Sequence, residues 1–298
     1  MIYECIYELN KSKKYSVHRI IKLLKLNESG YYYWKSKGQI FENNTIKLMH
    51  KIISIYRESN GIYGSGKITS ILNKKHLKIS QSTVSRLMTT MGLRSIVYKH
   101  FKPHYNKKIT KDDKDIINLI KGLKITEINE VWTTDISYIK TIEDGNLYFI
   151  SFIDQYSKKV IAWDLKRTQT TFDIIDVLKK AIIKNKPKPG LIIHSDKGSQ
   201  MRSYEYKSFL KSYKFIRSYT SIDHSCDENA AHESFHSLLK REKLYLHKLK
   251  DFNEAYREIY DYIENFYNPK RIHSSIGNMS PIEFEISNKK TNISPSIC

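Results

Sequence analysis

The stretch 131-VWTTDISYIK-140 decides the fold, because β-branched and aromatic residues fill it and one acidic residue, Asp135, interrupts it. This composition predicts a strand. A charged residue inside such a strand is unusual, so Asp135 is a candidate functional residue. Two more strands are predicted at 146-NLYFISFID-154 and 157-SKKVIAWDLK-166, and 143-EDG-145 supplies the turn between the first two. Three successive strands joined by hairpins predict a sheet.

Helices and strands alternate after the third strand. The amphipathic segment 170-TTFDIIDVLKKAIIK-184 predicts a helix, and the apolar run 191-LIIHSD-196 predicts a buried strand. Further helices are predicted from about Glu228 to Leu246 and from Phe252 to Phe266, the latter behind a capping-box-like start. The expected fold class is α/β.

Short helices are predicted before this core. In 16-SVHRIIKLLKL-26 the apolar residues recur at helical spacing behind an N-cap at Ser16, and 27-NESG-30 predicts a turn before a further helical piece. The segment 65-SGKITSILNKKH-76 and an apolar stripe in residues 83–92 predict a second pair of helices. Two helices joined by a short turn are typical of helix-turn-helix domains.

The last of these helices has a polar outward side on which Gln81 and Arg86 are candidate DNA contacts. We therefore predict a DNA-binding region at residues 1–97. A basic linker at 98–128, the core at 129–288 and a tail at 289–298 complete the predicted organisation.

The charge of the chain favours a polyanionic partner. In its 298 residues, Lys and Arg number 51 against 31 Asp and Glu, which gives a net charge of +20. Such a surface attracts DNA or RNA. The three cysteines form no C-x-x-C pair, which fits a reducing cytoplasm, and neither a membrane span nor a signal peptide is predicted.

Three carboxylates stand at positions where a site is expected. Asp135 lies within the first strand, and Asp196 closes the apolar run at the end of the fourth, where open α/β sheets place their sites. Glu233 lies early in the helix that follows. Carboxylates from two strands and a helix can converge on hard divalent cations such as Mg²⁺ or Mn²⁺, which prefer oxygen ligands. Two such ions can activate a nucleophile and stabilise the leaving oxygen of a phosphodiester.

A rival interpretation comes from 232-HESFH-236, which matches the H-E-x-x-H signature of zinc metalloproteases. A third zinc ligand would come from His247 or Glu264. That hypothesis explains neither the charge nor Asp135 and Asp196, so it is disfavoured. An adventitious zinc site formed with His224 and Cys226 is a second alternative.

Several stretches together resemble the second-reading-frame transposases of bacterial insertion elements, whose catalytic core is similar to retroviral integrase. The matching stretches are 132-WTTDISYI-139, 151-SFIDQYSKKVIAW-163, 193-IHSDKGSQ-200, 226-CDENAAHESFHSLLKRE-242 and 266-FYNPKRIHSSIGNMSPIEF-284. Upstream, 61-GIYGSGKITSILNKK-75 and 83-TVSRLMTTMGL-93 resemble the helix-turn-helix module of such proteins.

The resemblance implies a ribonuclease H-like core in which Asp135, Asp196 and Glu233 are the catalytic and metal-binding triad of a DDE transposase. It also implies Mg²⁺ or Mn²⁺, two ions in all, and metal-dependent nicking and strand transfer of DNA. One departure is that residues 197–232, 36 in all, separate the second Asp from the Glu, where the family usually has 35. The extra residue falls near 218-SYTSIDHSC-226, which is predicted to be a loop.

Basic residues around the triad are candidate DNA contacts, namely Lys197, Lys240, Arg241 and Lys243. Lys240 falls seven residues after Glu233, on the same helical face. The expected partners are DNA, further copies of the chain, and a first-reading-frame product as a fusion or separate chain. The expected location is the bacterial cytoplasm, at the nucleoid. A non-catalytic DNA-binding regulator and a plain metal-dependent nuclease are the alternatives.

Overall fold

A mixed five-stranded sheet carries the candidate acidic residues. In the computed structural model, β1 Val131–Lys140 pairs antiparallel with β2 Asn146–Asp154, and β2 pairs antiparallel with β3 Val160–Lys166. β4 Ile192–Ser195 runs parallel to β1, and β5 Ile216–Tyr219 runs parallel to β4, so the strand order is β3-β2-β1-β4-β5. The predicted hairpins and the buried fourth strand are confirmed.

The structure describes residues 2–11, 15–24, 26–36, 40–97, 118–220 and 230–291. Within them the chain divides into two units, Met1–Arg94 and Ser95–Cys298. Most of the predicted linker, residues 98–117, and the end of the predicted tail lie outside the described residues.

Strand alternation divides the sheet into two faces. Even-numbered residues of β1 and β2, including Trp132, Ile150 and Phe152, pack in one apolar cluster with α7 Thr171–Asn185. Odd-numbered residues, including Asp135, point to the opposite face because successive side chains of a strand alternate. The acidic residue therefore lies outside the large apolar core.

Helix α7 begins where the sequence predicts, because Thr170 and Asp173 form a reciprocal capping box. The Thr170 hydroxyl accepts from the Asp173 amide at 3.2 Å, and the Asp173 carboxylate accepts from the Thr170 amide at 2.8 Å. Its buried face carries Ile174, Val177 and Leu178, each of which contributes about 1.5–3 kcal/mol when fully buried.

Among the described residues, five α-helices follow β4 in this unit, with three short segments of other helical types between them. The helices are α8 Ser199–Arg202, α9 Tyr204–Ser212, α10 Ala230–Leu239 and α11 Phe252–Tyr260, and α12 Pro281–Thr291 follows them near the carboxyl end. The shorter segments are π-helical at Lys240–Leu244 and Asp261–Tyr267, and 3₁₀ at Ser274–Ile276.

The predicted helices around residues 228–246 and 252–266 therefore need correction. Each is an α-helix that widens into a π-helical turn instead of continuing as one regular helix. Hydrophobic periodicity cannot reveal such a turn, because one extra residue per turn leaves most of the apolar face intact. The strand β5 was not predicted, and it takes up the start of the stretch 218–226 that was predicted to be a loop.

The amino-terminal unit is helical, as predicted. Its helices are α1 Ile2–Lys11, α2 Val17–Leu23, α3 Glu28–Ser36, α4 Ile40–Glu58, α5 Ser65–Lys74 and α6 Gln81–Thr90. Ser16 caps α2 and Ser80 caps α6. The Ser80 hydroxyl accepts from the Thr83 amide at 3.2 Å. The predicted turn at 27–30 is wrong in part, since α3 already begins at Glu28.

Candidate active site

The pairing of β1 with β4 brings Asp135 and Asp196 to neighbouring positions. Thr134 of β1 pairs with Ser195 of β4 in the parallel register. Asp135 directly follows Thr134 and Asp196 directly follows Ser195, so the two aspartates come at matching positions. Neighbouring strands lie about 4.8 Å apart, and paired residues of a parallel ladder point to the same face. Two acidic residues distant in sequence thus stand side by side on the face covered by α10.

Both aspartates are half-buried and oriented by local hydrogen bonds. The Asp135 Oδ1 atom accepts from the Ile136 amide at 2.9 Å, and Asp196 Oδ1 accepts from the Gly198 amide at 3.0 Å. A Cβ atom at residue 198 would lie 3.1 Å from Asp196 Oδ1, so the turn after β4 is fitted closely around this carboxylate.

Helix α10 lies on this face and carries Glu233, whose side chain is exposed. Two histidines on either side of Glu233 connect the helix to the sheet. The His232 Nδ1 atom lies 2.9 Å from Thr133 Oγ1, and its Nε2 atom lies 2.8 Å from Ser151 Oγ. The His236 Nε2 atom lies 3.3 Å from the same Ser151 hydroxyl, and its Nδ1 atom lies 3.5 Å from Asp135 Oδ2.

These contacts exclude the zinc-protease interpretation of residues 232–236. Both ring nitrogens of His232 already bond protein hydroxyls, so neither is left for a metal ion. Burial, with the neighbouring His236, lowers the pKa of His232 to about 3, and the ring is therefore neutral at ordinary pH. Glu264, one nominated third ligand, instead accepts from the Trp163 indole at 3.0 Å. His224 and Cys226, invoked for an adventitious zinc site, lie outside the described residues.

Lys240 begins the π-helical turn that follows α10. Burial lowers the pKa of its ammonium group, and the nearby Asp135 carboxylate opposes that effect. Seven residues correspond to about 20° of rotation around an ideal α-helix, so Lys240, the first residue after α10, extends in a direction close to that of Glu233. A basic group thus stands near Asp135.

A buried ion pair fixes the turn that holds Lys240. The Arg271 Nε and Nη2 atoms donate to the two oxygens of Glu242 at 2.8 and 2.7 Å, and the Tyr262 hydroxyl donates to Oε2 at 2.7 Å. The side chains of Glu242 and Arg271 are only 4% and 5% exposed. Burial opposes the charge on Arg271, but the bonds to Glu242 outweigh it and raise the pKa of the guanidinium.

The three predicted acidic residues do not form a closed metal site. Within the described part of the chain, no group of three or more His, Cys, Asp or Glu side chains is arranged to hold a metal ion. The structure brings Asp135 and Asp196 together through the sheet, whereas Glu233 reaches the same face on a separate helix.

The candidate DNA contacts lie in different surroundings. Gln81 and Arg86 are exposed on α6, and Lys197 is half-buried directly after Asp196. Arg241 is half-buried within the π-helical turn. Lys243 bonds two carboxylates of its own chain, Glu258 and Asp261, each at 2.9 Å, so its charge already has partners.

The family profile described as "Integrase core domain" matches residues 126–226, and a second profile with that description matches residues 233–288. The profile described as "HTH-like domain" matches residues 43–101. The transposase of insertion sequence element IS904 from Lactococcus lactis is 36% identical over 239 residues, which cover 80% of this chain and 93% of that protein.

The chain belongs to the insertion-sequence transposases. The putative transposase InsK of IS150 from Escherichia coli is 27% identical over 270 residues, with 91% of this chain and 93% of that protein covered. The transposase is therefore a polynucleotidyl transferase with a ribonuclease H-like core and an amino-terminal HTH-like region. No helix in its described ranges has the length and apolar character needed to cross a membrane.

Two solved integrase cores are also similar to the transposase. The catalytic core of BIV integrase covers 56% of the chain and 99% of its own length, at 15% identity and a TM-score of 0.43. The HTLV-2 integrase core, a structure in complex with magnesium, covers 52% and 95%, at 19% identity and a TM-score of 0.35.

Sequence reasoning missed the polar residues next to the candidate acidic residues. Ser151 was not singled out, although it is a polar residue inside the apolar run of β2 and lies directly opposite Asp135. Thr133, two residues before Asp135, carries no such signal, because β1 contains several other polar residues and threonine is common in strands. The pairing of Glu242 with Arg271 could not be foreseen, since nothing in the spacing of two distant charged residues indicates contact.

Proposed function

We propose that the transposase nicks the ends of its own element and joins them to target DNA, with Asp135, Asp196 and Glu233 as its metal-binding carboxylates. The observation that carries this proposal is the β1–β4 register, which sets the two aspartates side by side. The helix that carries Glu233 packs on β1 above them.

The donor chemistry fits Mg²⁺ or Mn²⁺. Two half-buried carboxylates at adjacent strand positions offer the oxygen ligands that such cations prefer, and Glu233 is an exposed carboxylate that can supply a third. One or two bound ions would activate the attacking oxygen and stabilise the leaving oxygen of a phosphodiester. No protein nucleophile is needed.

The chemistry exchanges one phosphodiester bond for another. Water attacks the phosphorus at the element end and the 3′-oxygen leaves as a hydroxyl. That hydroxyl then attacks a phosphorus of the target strand, and the target's own 3′-oxygen leaves. Lys240 and Lys197 beside the acidic residues, together with Arg241, would hold the phosphates that react. Lys243 would add to this surface only through its charge, which Glu258 and Asp261 share.

The amino-terminal region would bind the DNA that the core acts on, with residues 1–97 contacting the element ends through Gln81 and Arg86 on α6. A basic linker at 98–128 would connect it to the catalytic core at 129–288, and a tail at 289–298 would follow. The transposase would act as an oligomer on DNA in the bacterial nucleoid. A first-reading-frame product would join it as a fusion or a partner.

Strand transfer with labelled element ends tests the proposal. The transposase with Mg²⁺ or Mn²⁺, with and without the first-frame product, is compared with Asp196→Asn and Glu233→Gln. Joined product that disappears in both variants is the expected result. Cutting without joining would support a plain nuclease instead, and specific binding without any metal-dependent reaction would support a regulator.

A further inference from the structure

A polar strip crosses the sheet face beneath α10. Ser151 of β2 pairs directly with Asp135 of β1, so their side chains are neighbours on one face. Thr133 lies two residues before Asp135 and points to the same face. The two histidines of α10, one helical turn apart, reach this strip and the three residues in it.

The contacts form a continuous chain that ends at Asp135. Its links are Thr133 Oγ1 to His232 Nδ1 at 2.9 Å, His232 Nε2 to Ser151 Oγ at 2.8 Å, Ser151 Oγ to His236 Nε2 at 3.3 Å, and His236 Nδ1 to Asp135 Oδ2 at 3.5 Å. His232 is fully buried and His236 is only 8% exposed. Solvent therefore does not replace these partners.

Elementary hydrogen-bond rules assign a direction to this chain. The His236 Nδ1 atom faces Asp135 Oδ2 at 3.5 Å, longer than a normal hydrogen bond, and because a carboxylate only accepts, attraction between them requires the hydrogen to be on Nδ1. With the hydrogen on Nδ1, the Nε2 atom of His236 accepts from the Ser151 hydroxyl. The Ser151 oxygen accepts in turn from Nε2–H of His232, whose Nδ1 accepts from the Thr133 hydroxyl. One arrangement of hydrogens thus satisfies the three hydrogen bonds and leaves an N–H of His236 facing the Asp135 carboxylate.

We propose that His236 is a positioning residue that orients the Asp135 carboxylate, while Ser151 and His232 hold its ring in the required tautomer. This inference rests on the proposed function, in which Asp135 is a metal ligand. Groups that hydrogen-bond a ligating carboxylate fix its direction, and their loss typically weakens metal binding about 10–100-fold.

The same contacts set the rotation of α10. Anchors at residues 232 and 236 fix the helix about its axis, and Glu233, one residue after the first anchor, takes its direction from them. The histidines therefore connect the strand that carries one acidic residue with the helix that carries another.

Two replacements of His236 separate its two contacts. His236→Asn places an amide NH₂ near the position of Nδ1 and retains a donor to Asp135, whereas His236→Gln extends toward Ser151 and leaves Asp135 without that donor. Ser151→Ala removes the link between the rings. His247→Gln, an exposed histidine of the same unit, is the matched control.

The first readout is the ring ¹⁵N NMR spectrum of the full-length, metal-free protein. We expect the Nδ1–H tautomer for His236 and the Nε2–H tautomer for His232, and a mixture of tautomers in both rings in Ser151→Ala. An Nε2–H tautomer for His236 in the wild type, or rings unaffected by Ser151→Ala, would overturn the proposal whatever the protein's activity.

The second readout is Mn²⁺ affinity, measured by calorimetry on the full chain, with thermal midpoints recorded for each variant. We expect His236→Gln to weaken binding about 10–100-fold and His236→Asn to retain most of it. Affinities that are equal in both variants, or that follow only their thermal midpoints, would reduce His236 to a packing residue. If Asp135→Asn leaves Mn²⁺ binding intact, the proposed metal-ligand role of Asp135 fails, and the tautomer result still decides whether His236 holds that side chain.

Discussion

The buried pair of Glu242 and Arg271 allows a sharp prediction about stability. The carboxylate accepts three hydrogen bonds, two from Arg271 and one from Tyr262, and both charged side chains are at least 95% buried. Arg271→Met leaves that carboxylate buried with the Tyr262 hydroxyl as the remaining partner of the three. Breaking a buried pair in this way costs about 3–5 kcal/mol of the free energy of unfolding.

Removing both charges should cost less than removing one. We expect the double variant Glu242→Leu with Arg271→Met to recover about 1–3 kcal/mol relative to the sum of the single variants, because neither charge is then left unpaired. Arg271→Lys should fall between wild type and Arg271→Met, since an ammonium keeps the charge but cannot make the two-pronged contact.

Urea unfolding followed by tryptophan fluorescence measures these differences in the intact chain. The protein has three tryptophans. Trp34 lies in the amino-terminal unit, and Trp132 and Trp163 lie in the second unit, Ser95–Cys298, called the catalytic unit below. In a Trp34→Phe background the signal therefore reports the catalytic unit alone. A loss below about 1 kcal/mol in Arg271→Met, or strict additivity in the double variant, would refute the reasoning.

Three other perturbations have defined outcomes. Gly198→Ala should reduce strand transfer about tenfold with little change in stability, because the new Cβ displaces the Asp196 carboxylate. Gly64→Ala is the control, because a Cβ at that position would meet no atom within 4 Å and should leave strand transfer unchanged. Equal activity of the two variants would count against a close fit around Asp196. Thr170→Ala should lower the unfolding free energy by about 1 kcal/mol in urea titrations, and no loss would argue against the cap. Since the pKa of His232 falls from 6.5 to about 3 on folding, the unfolded chain binds the extra proton, and stability should drop by about 1.4 kcal/mol per unit as pH falls from 6.5 toward 3. His232→Gln should lower the slope of the unfolding free energy against pH by the contribution of one proton. An unchanged slope would show that His232 is not the residue that takes up this proton.

The sequence predicted those parts of the transposase that local patterns determine. The bounds of β1 and β2 agree with the prediction to the residue, because alternation, β-branched composition and a turn all point to the same hairpin. Here local preference and overall fold agree. The sequence also predicted Asp135 within a strand and Asp196 at a strand end, whereas the β1–β4 register that makes them neighbours comes from the structure.

The remaining features depend on contacts that no local pattern encodes. The π-helical turn at Lys240–Leu244 accompanies the pairing of Glu242 with Arg271, which lies 29 residues further along the chain. The H-E-x-x-H match also shows that a local pattern can suggest a site that the fold does not form. Its two histidines have the spacing of zinc ligands, yet they bond Thr133 and Ser151, and only the three-dimensional partners distinguish the two uses.

The register between β1 and β4 has a consequence for how copies of a mobile element decay. It holds Asp135 and Asp196 beside each other, where two like charges repel unless a cation lies between them. Replacing Asp196 with asparagine therefore relieves that repulsion, keeps an acceptor for the Gly198 amide and leaves the sheet and its core in place. Selection against misfolded protein cannot remove such a copy. Under the proposed function such copies are inactive, and they should persist as well-folded chains that compete with active ones for the same DNA ends.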